Sequence, residues 1–287
     1  MLLLRRAVAG LRRAHDPVLL IAPRSSGAAL VGPGPSEVDE LIPWEGPDVA
    51  ALLAGNVAPG SLRDRLGGIE VAVAYSRSED LGRHLPRYVS RVLIHDPAPP
   101  PGIHASRWLA RPLEALGLGV PDDVEPVRPT EAEALEARAL LASLPEGYLA
   151  IHPGSGSPRK TWPAERFAAL LDGVAGSGPW LLVEGPADSD AVSRLARRPG
   201  TVVARGLSAR TLGAVLARAR LFVGHDSGVS HLAAAWGTPT LALFGPTDPS
   251  VWAPVGPHVR VVRAPSAQMD TLSVESVLTA ARQTFDC

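Results

Sequence analysis

Short apolar runs alternate with segments of helical period along almost the whole chain, and glycines and prolines separate them. Continuous apolar runs flanked by helices are typical of parallel strands covered on both faces, so the pattern predicts an α/β fold. In the first half we expect strands at residues 18–22, 38–42, 69–74 and 89–94. In the second half we expect strands at residues 148–152, 180–184, 201–204, 221–224, 240–244 and 259–262.

The helical segments carry their own start and stop signals. Thr130 stands three residues before Glu133, and this spacing predicts a capping box that opens a helix through Leu144. Apolar positions of helical period also predict a helix at residues 105–116 and a last helix at residues 274–285.

A polar segment broken by prolines, residues 121–129, separates the two halves. With 287 residues the chain is long enough for two domains of ordinary size. We therefore predict two doubly wound domains, residues 1–128 and 129–287, that face a cleft. We expect the last helix to pack back toward the first domain.

Composition narrows the class of partner. The chain has 28 Lys and Arg against 29 Asp and Glu, so it has no general basic field for nucleic acid. Its single cysteine is Cys287, which excludes an internal disulfide and fits a cytoplasmic protein. The opening apolar run, residues 1–4, is too short for a signal peptide or a membrane span. We expect a monomer with at most peripheral membrane contact, through four arginines: Arg5, Arg6, Arg12 and Arg13.

The segment at residues 222–231 is the most informative one. A short apolar strand runs through Gly224 into Asp226-Ser227-Gly228, where a helix opens at once. The free N–H groups of a helix start attract phosphate. Ser227 and His231 are four residues apart and share the face opposite the apolar stripe. Two interpretations stay open: a phosphate site, or an N-cap serine with a solvated histidine.

Three more loops follow predicted strands, and ligands bind at the carboxyl ends of strands in such sheets. The loop at residues 152–163 has glycines, two serines and Lys160, but no Walker motif; a plain turn ending in a surface lysine is the alternative. The loops at residues 185–188 and 245–248 each carry an aspartate able to cap the next helix. Asp188 or Glu184 is also a candidate partner for a ribose or sugar hydroxyl.

Several familiar patterns are missing or weak. Asp188-Ser-Asp190 reads as a D-x-D metal motif, but acidic residues are expected in a first helical turn. The sequence has no HExxH, no paired cysteines, no zinc-like histidine spacing and no Gly-x-Ser-x-Gly elbow. We therefore predict no bound metal and no cofactor.

Taken together, four ordered blocks resemble glycosyltransferase family 9, the ADP-heptose:lipopolysaccharide heptosyltransferase group with the GT-B fold of two Rossmann-like domains. The blocks are HPGSGSPRKTWP at residues 152–163, VEGPAD at 183–188, LSARTL at 207–212, and the long block at 223–254. The resemblance implies an inverting, metal-independent transferase with a nucleotide-sugar donor, ADP-linked and heptose-like. It implies a glycan, a lipid-linked molecule or a small molecule as acceptor.

The resemblance also implies roles for individual residues. Catalytic roles fall on Lys160, which pairs with the diphosphate, and on Asp226. Leu207 falls where the adenine packs, and Glu184 or Asp188 where an acid meets the ribose. The other implied donor-binding residues are Ser155, Gly156, Ser227, Gly228 and His231.

One part of the family pattern is absent. Family members begin with a strand and a Gly-Asp turn whose aspartate is read as the base, whereas residues 7–15 already resemble the first helix. Loss of this central strand predicts a slot between its two neighbours, since strands lie about 4.8 Å apart. We expect poor transfer by this chain and a natural protein that is longer upstream. The alternatives are a nucleotide-sugar binder without transfer, a substitute base from His95-Asp96 or His104, or another GT-B enzyme such as an epimerase.

Overall fold

The computed structural model describes residues 1–57, 60–175, 179–185 and 188–285. Cys287 lies outside the described residues. The chain forms two compact units, one of Leu3–Glu125 and one of Pro126–Cys287. This division lies three residues before the predicted one. No helix in the described part of the chain combines the length and the apolar character that a membrane span requires.

The first unit contains four strands and seven helices among its described residues, all short. Its strands are β1 (Leu19–Ala22), β2 (Glu40–Pro43), β3 (Val71–Tyr75) and β4 (Arg91–His95). Its helices are α1 (Arg5–Arg12), α2 (Arg24–Gly27), α3 (Pro47–Leu53), α4 (Ser61–Gly67), α5 (Glu79–His84), α6 (Ala105–Ala110) and α7 (Pro112–Ala115).

The second unit repeats strand and helix more regularly. Its strands are β5 (Leu149–His152), β6 (Trp180–Val183), β7 (Thr201–Ala204), β8 (Leu221–His225), β9 (Thr240–Phe244) and β10 (Val259–Arg263). Its helices are α8 (Glu131–Leu140), α9 (Ala164–Ala175), α10 (Ser189–Leu195), α11 (Ala209–Leu216), α12 (Gly228–Ala235), α13 (Pro249–Trp252) and α14 (Val274–Phe285).

The sheet of the second unit is parallel, with the order β10-β9-β8-β5-β6-β7. The order reverses between β5 and β8, and ligands bind at such a switch point in doubly wound folds. All six predicted strands are confirmed, with ends that differ by at most one residue. The sheet is buried on both faces, and Ile151, Leu182, Phe222 and Phe244 are completely covered. Their burial explains why these strands read as unbroken apolar runs.

Helix ends follow local chemistry. The capping box of Thr130 and Glu133 is confirmed at the start of α8. The α-helix ends at Leu140, earlier than predicted, and a turn of 3₁₀ helix follows. The helix predicted at residues 105–116 is two helices, because Pro112 lacks an N–H group and its ring crowds the preceding turn. The last helix is confirmed at its predicted bounds, and its main contacts are with α9 and with β8, β9 and β10 of its own unit. Its packing toward the first domain stays a prediction.

The first unit holds two separate parallel sheets of two strands each, β1 with β2 and β3 with β4. A cavity of about 480 Å³ lies between them, lined by residues of β1 and β3 and by apolar side chains of α1. Leu19 and Ile21 line it from one strand, and Val71 and Val73 from the other. The predicted slot is therefore confirmed: each sheet presents a strand edge to it.

Candidate functional site

Four loops of the second unit meet at one edge of its sheet. They follow β9, β8, β5 and β6, which are consecutive neighbours in the sheet. Since all are parallel, their carboxyl ends lie side by side, with the switch point between β5 and β8 in the middle. His152 at the end of β5 pairs in register with Gly224 of β8. The candidate site is the edge formed by residues 152–160, 184–185, 188, 225–231 and 245–248.

An ion pair joins two of these loops. The Lys160 Nζ lies 2.7 Å from Asp226 Oδ2, although the residues are 66 positions apart. The Lys160 side chain is 30% exposed and that of Asp226 10%. Thr247 donates its hydroxyl to the same carboxylate oxygen at 2.7 Å. The structure thus brings both predicted catalytic residues together and adds Thr247, which the sequence analysis did not single out.

Helix α12 begins beside this pair, and no side chain caps it. Ser227 occupies the N-cap position in an extended conformation, but its hydroxyl makes no capping bond to the first turn. The hydroxyl instead lies 3.3 Å from the Nδ1 atom of His152. Ser227 is therefore the N-cap residue, as the second interpretation has it, but its hydroxyl makes no capping bond to the N–H groups of the first turn of α12. Gly228 is exposed at this end and His231 is half-buried one turn later.

Asp188 is buried rather than open to a ligand. Its Oδ2 atom lies 2.8 Å from His152 Nε2 and accepts the Gly185 N–H at 2.9 Å, and its side chain is 6% exposed. The hydrogen bond from His152 holds the pKa of this carboxyl below its usual value. One expectation is corrected: Asp188 stands at the N-cap of α10, but its side chain makes no capping bond. Its carboxylate binds His152 and the Gly185 N–H instead. Its role at a ribose stays a prediction. Asp248, in contrast, caps α13 as predicted.

His225 fixes both ends of the loop after β5. Its ring is fully buried, with Nδ1 2.8 Å from the Gly154 carbonyl and Nε2 accepting the Trp162 N–H at 2.8 Å. Burial lowers the pKa of His225 to about 4. The ring is therefore neutral near pH 7 and carries its proton on Nδ1, the atom that faces a carbonyl.

The inner part of the same loop is closed by Ser155. Its hydroxyl donates to the Ser157 carbonyl at 2.6 Å and accepts the Ser157 N–H at 3.2 Å. Ser155 is predicted to bind the donor, but in the structure its hydroxyl donates to the same loop. Gly156 is exposed at the tip, and no atom lies within 4 Å of where its Cβ would be. The loop offers Gly156 backbone and the Lys160 side chain to a ligand.

Glu184 and Leu207 lie farther along the edge, after β6 and β7. The Glu184 Oε2 atom lies 3.2 Å from Arg205 Nη2, yet accepts no hydrogen bond from the described residues. That oxygen is itself buried, although the side chain as a whole is 17% exposed, so it faces Arg205 in this conformation. Leu207 is half-buried in the turn before α11. Their roles at a ribose and an adenine stay predictions.

The proposed substitute bases are engaged elsewhere, in the first unit. His104 sits at the N-cap of α6, where its Nδ1 atom accepts the Ser106 N–H. His95 stacks on Trp108 with ring centroids 4.4 Å apart. Asp96 pairs with Arg77 at 3.0 Å. Within the described ranges, no group of three or more His, Cys, Asp or Glu is placed to hold a metal ion.

Comparison with known proteins identifies the family. The model of glycosyltransferase family 9 (heptosyltransferase) matches residues 79–281. Lipopolysaccharide heptosyltransferase 3 of Escherichia coli is 34% identical over 120 residues, which are 39% of this chain and 35% of that protein. Lipopolysaccharide heptosyltransferase 1 of Escherichia coli K12 is 31% identical over 158 residues, 52% of this chain and 49% of that protein. The chain spans about half or less of the length of these curated relatives.

A solved structure extends the likeness to the whole chain. Escherichia coli heptosyltransferase WaaC with ADP superposes with a TM-score of 0.70 at 19% identity, covering 99% of this chain and 95% of the other. At that identity the likeness shows the fold, which is the GT-B type. The family model covers well over half of the sequence, including all four loops of the candidate site. The chain therefore belongs to glycosyltransferase family 9.

Proposed function

We propose that the protein is a glycosyltransferase that moves a sugar from a nucleoside diphosphate donor to an acceptor hydroxyl. One observation carries the proposal: the uncapped start of α12 lies beside the Lys160–Asp226 pair at the switch point of the sheet. A helix N-terminus and a lysine together make a site for a diphosphate. Family membership supports transfer chemistry at that site.

In the proposed reaction, negative charge builds on the diphosphate as its bond to the sugar breaks. The first-turn N–H groups of α12 and the Lys160 ammonium stabilise that charge in place, without a metal ion. In the structure the Lys160 ammonium donates a hydrogen bond to Asp226, and the Thr247 hydroxyl donates to the same carboxylate. We infer that Lys160 turns toward the diphosphate when the donor binds. We also propose inversion at the anomeric carbon, with direct attack by the acceptor.

The donor that we propose is an ADP-linked, heptose-like sugar. The two curated relatives are named heptosyltransferases, and the superposed structure is described with ADP. The acid that we propose for the ribose is Glu184, directly after β6, and Leu207 offers an apolar side chain for the adenine. The acceptor that we propose is a glycan or a lipid-linked sugar, because the relatives act in lipopolysaccharide assembly by name.

A nucleotide-sugar binder without transfer is the second candidate. The observation that favours it is the cavity between β1 and β3, which splits the sheet of the first unit in two. General-base assistance contributes about 10²–10⁴ in rate, so a protein of this fold with no base at the acceptor hydroxyl would bind its donor but transfer slowly.

The test is nucleotide release from an ADP-linked heptose, followed with and without a lipopolysaccharide-core acceptor. A transferase releases ADP only when the acceptor is present. Donor binding with no release supports the second candidate, and release without acceptor supports epimerase-like chemistry. No binding of the donor would contradict all three.

A further inference from the structure

A chain of two side-chain contacts runs from the start of α12 to the end of β5 and on to the loop after β6. Ser227 Oγ lies 3.3 Å from His152 Nδ1, and His152 Nε2 lies 2.8 Å from Asp188 Oδ2. The His152 and Asp188 side chains are only 5% and 6% exposed. Of the three, only Ser227 belongs to the expected diphosphate site. The buried pair behind it has no part in the function proposed above.

We propose that His152, oriented by Asp188, controls where the Ser227 hydroxyl hydrogen points and so couples diphosphate binding to proton uptake. A carboxylate only accepts, so the His152 Nε2 atom carries a proton and donates to Asp188. In the neutral ring, Nδ1 is then a bare acceptor, and it takes the hydroxyl hydrogen of Ser227. In the charged ring, Nδ1 donates to the Ser227 oxygen and releases that hydrogen for a phosphate oxygen.

The geometry distinguishes this line from a hydrolytic triad. In serine hydrolases the aspartate binds Nδ1 and the serine lies at Nε2, with the nucleophile open to substrate. Here the two ring nitrogens have exchanged partners. The serine also stands at a helix start, where its hydroxyl adds a donor to the N–H groups already present. A positioning role for His152 follows, since it touches Ser227 and is itself buried.

The charges around His152 favour proton uptake with an anionic ligand. Asp188 stabilises an imidazolium directly. His225, on the neighbouring strand, stays neutral because its ring nitrogens are held by Gly154 and Trp162. Asp226 is already compensated by Lys160. A diphosphate diester brings two negative charges to the start of α12, and these add to the stabilisation of a charged His152. His231, on α12, is a further histidine of this edge, so the test includes it.

The inference rests on the proposed diphosphate site. The probe is ADP-glucose, whose diphosphate has no ionisation near neutral pH, so any proton taken up belongs to the protein. Calorimetry in two buffers of different ionisation enthalpy counts the protons bound, from about pH 5.5 to 8.5. We expect uptake of up to about one proton per ligand, and an affinity that falls by at least about threefold from the low to the high end of that range.

The variants separate control by His152 from a merely structural role. His152→Gln keeps a donor toward Asp188 but cannot titrate, so uptake and pH dependence should vanish, whereas His231→Gln should keep the uptake. The exposed His258→Gln is the matched control and should behave as wild type. If His152→Gln does not fold, Ser227→Ala serves instead, and its affinity should vary less than about threefold across the range.

Three results would overturn the inference alone. The first two are wild-type binding without proton uptake and uptake that persists in His152→Gln. Equal loss of affinity at every pH in that variant would also overturn it, because packing alone predicts that result. Absence of ADP-glucose binding at any pH would instead overturn the proposed function, and the inference with it.

Discussion

Replacing Lys160 by alanine is expected to lower the turnover of sugar transfer by at least about a hundredfold, while the protein stays folded. A charge pair about 4 Å apart contributes roughly 4 kcal/mol at an effective dielectric near 20. That energy corresponds to about a thousandfold in rate if it arises only in the transition state. The Lys160 side chain is 30% exposed, so solvent screening reduces the effect, and we expect the lower figure. Steady-state kinetics with a saturating ADP-linked donor measure it.

The matched control is Arg159→Ala. Arg159 is the adjacent cation in the same loop; it is exposed and forms no ion pair with any residue that the structure describes. Its loss removes the same formal charge from the protein without touching Asp226, so turnover should change less than about threefold. Wild-type turnover in Lys160→Ala, or equal losses in the two variants, would contradict the assignment of Lys160 to the leaving group.

Replacing Gly154 by alanine is expected to damage stability and donor binding together. A Cβ at Gly154 would overlap the Asp188 carboxylate, which is buried and held by His152 and by the Gly185 N–H. The loop after β5 must then move, or the Asp188–His152 pair must break. We expect a loss of about 2 kcal/mol or more, equal to roughly 4–8 °C in Tm. Thermal unfolding with and without ADP measures both effects.

Gly156→Ala is the control within the same loop. Its Cβ would meet no atom within 4 Å, so Tm should change by less than about 2 °C. Retention of the wild-type Tm and ADP affinity in Gly154→Ala would show that Asp188 is not held as the structure has it.

Much of the second unit could be predicted because its signals are local. Each of its strands is an apolar run bounded by turns, and burial on both faces keeps such runs unbroken. The capping box at Thr130 and the last helix are both predicted from residues only three or four positions apart. Parallel strands also bring the loops after β5 and β8 to one edge, which is why Lys160 and Asp226 could be expected in one site.

The corrections concern choices that depend on distant partners. Asp188 has the type and position of an N-cap, but His152, 36 residues earlier, provides a buried donor that competes for the carboxylate. Ser227 likewise has the position of a cap and turns to the same histidine. Thr247 follows a strand in a loop read for its aspartate alone. Its hydroxyl reaches Asp226 only because β8 and β9 are neighbours in the sheet, which the sequence does not show directly.

In the first unit the predicted slot is confirmed, whereas the predicted strand bounds are less accurate. Strand bounds there shift by up to two residues, because half-buried edge strands have weaker patterns than central ones. The slot is predicted because the family resemblance makes the first strand central in the sheet. In the structure it lies between β1 and β3.

The central claim is that the start of α12 and Lys160 bind a nucleoside diphosphate without a divalent cation. Calorimetric titration of the full chain with ADP, in the presence of excess EDTA, tests it most directly. We expect saturable binding of ADP to one site. Its affinity should be unchanged by the chelator and at least about tenfold lower in Lys160→Ala. Absence of heat at any ADP concentration, or binding that disappears with EDTA and returns with Mg²⁺, would contradict it.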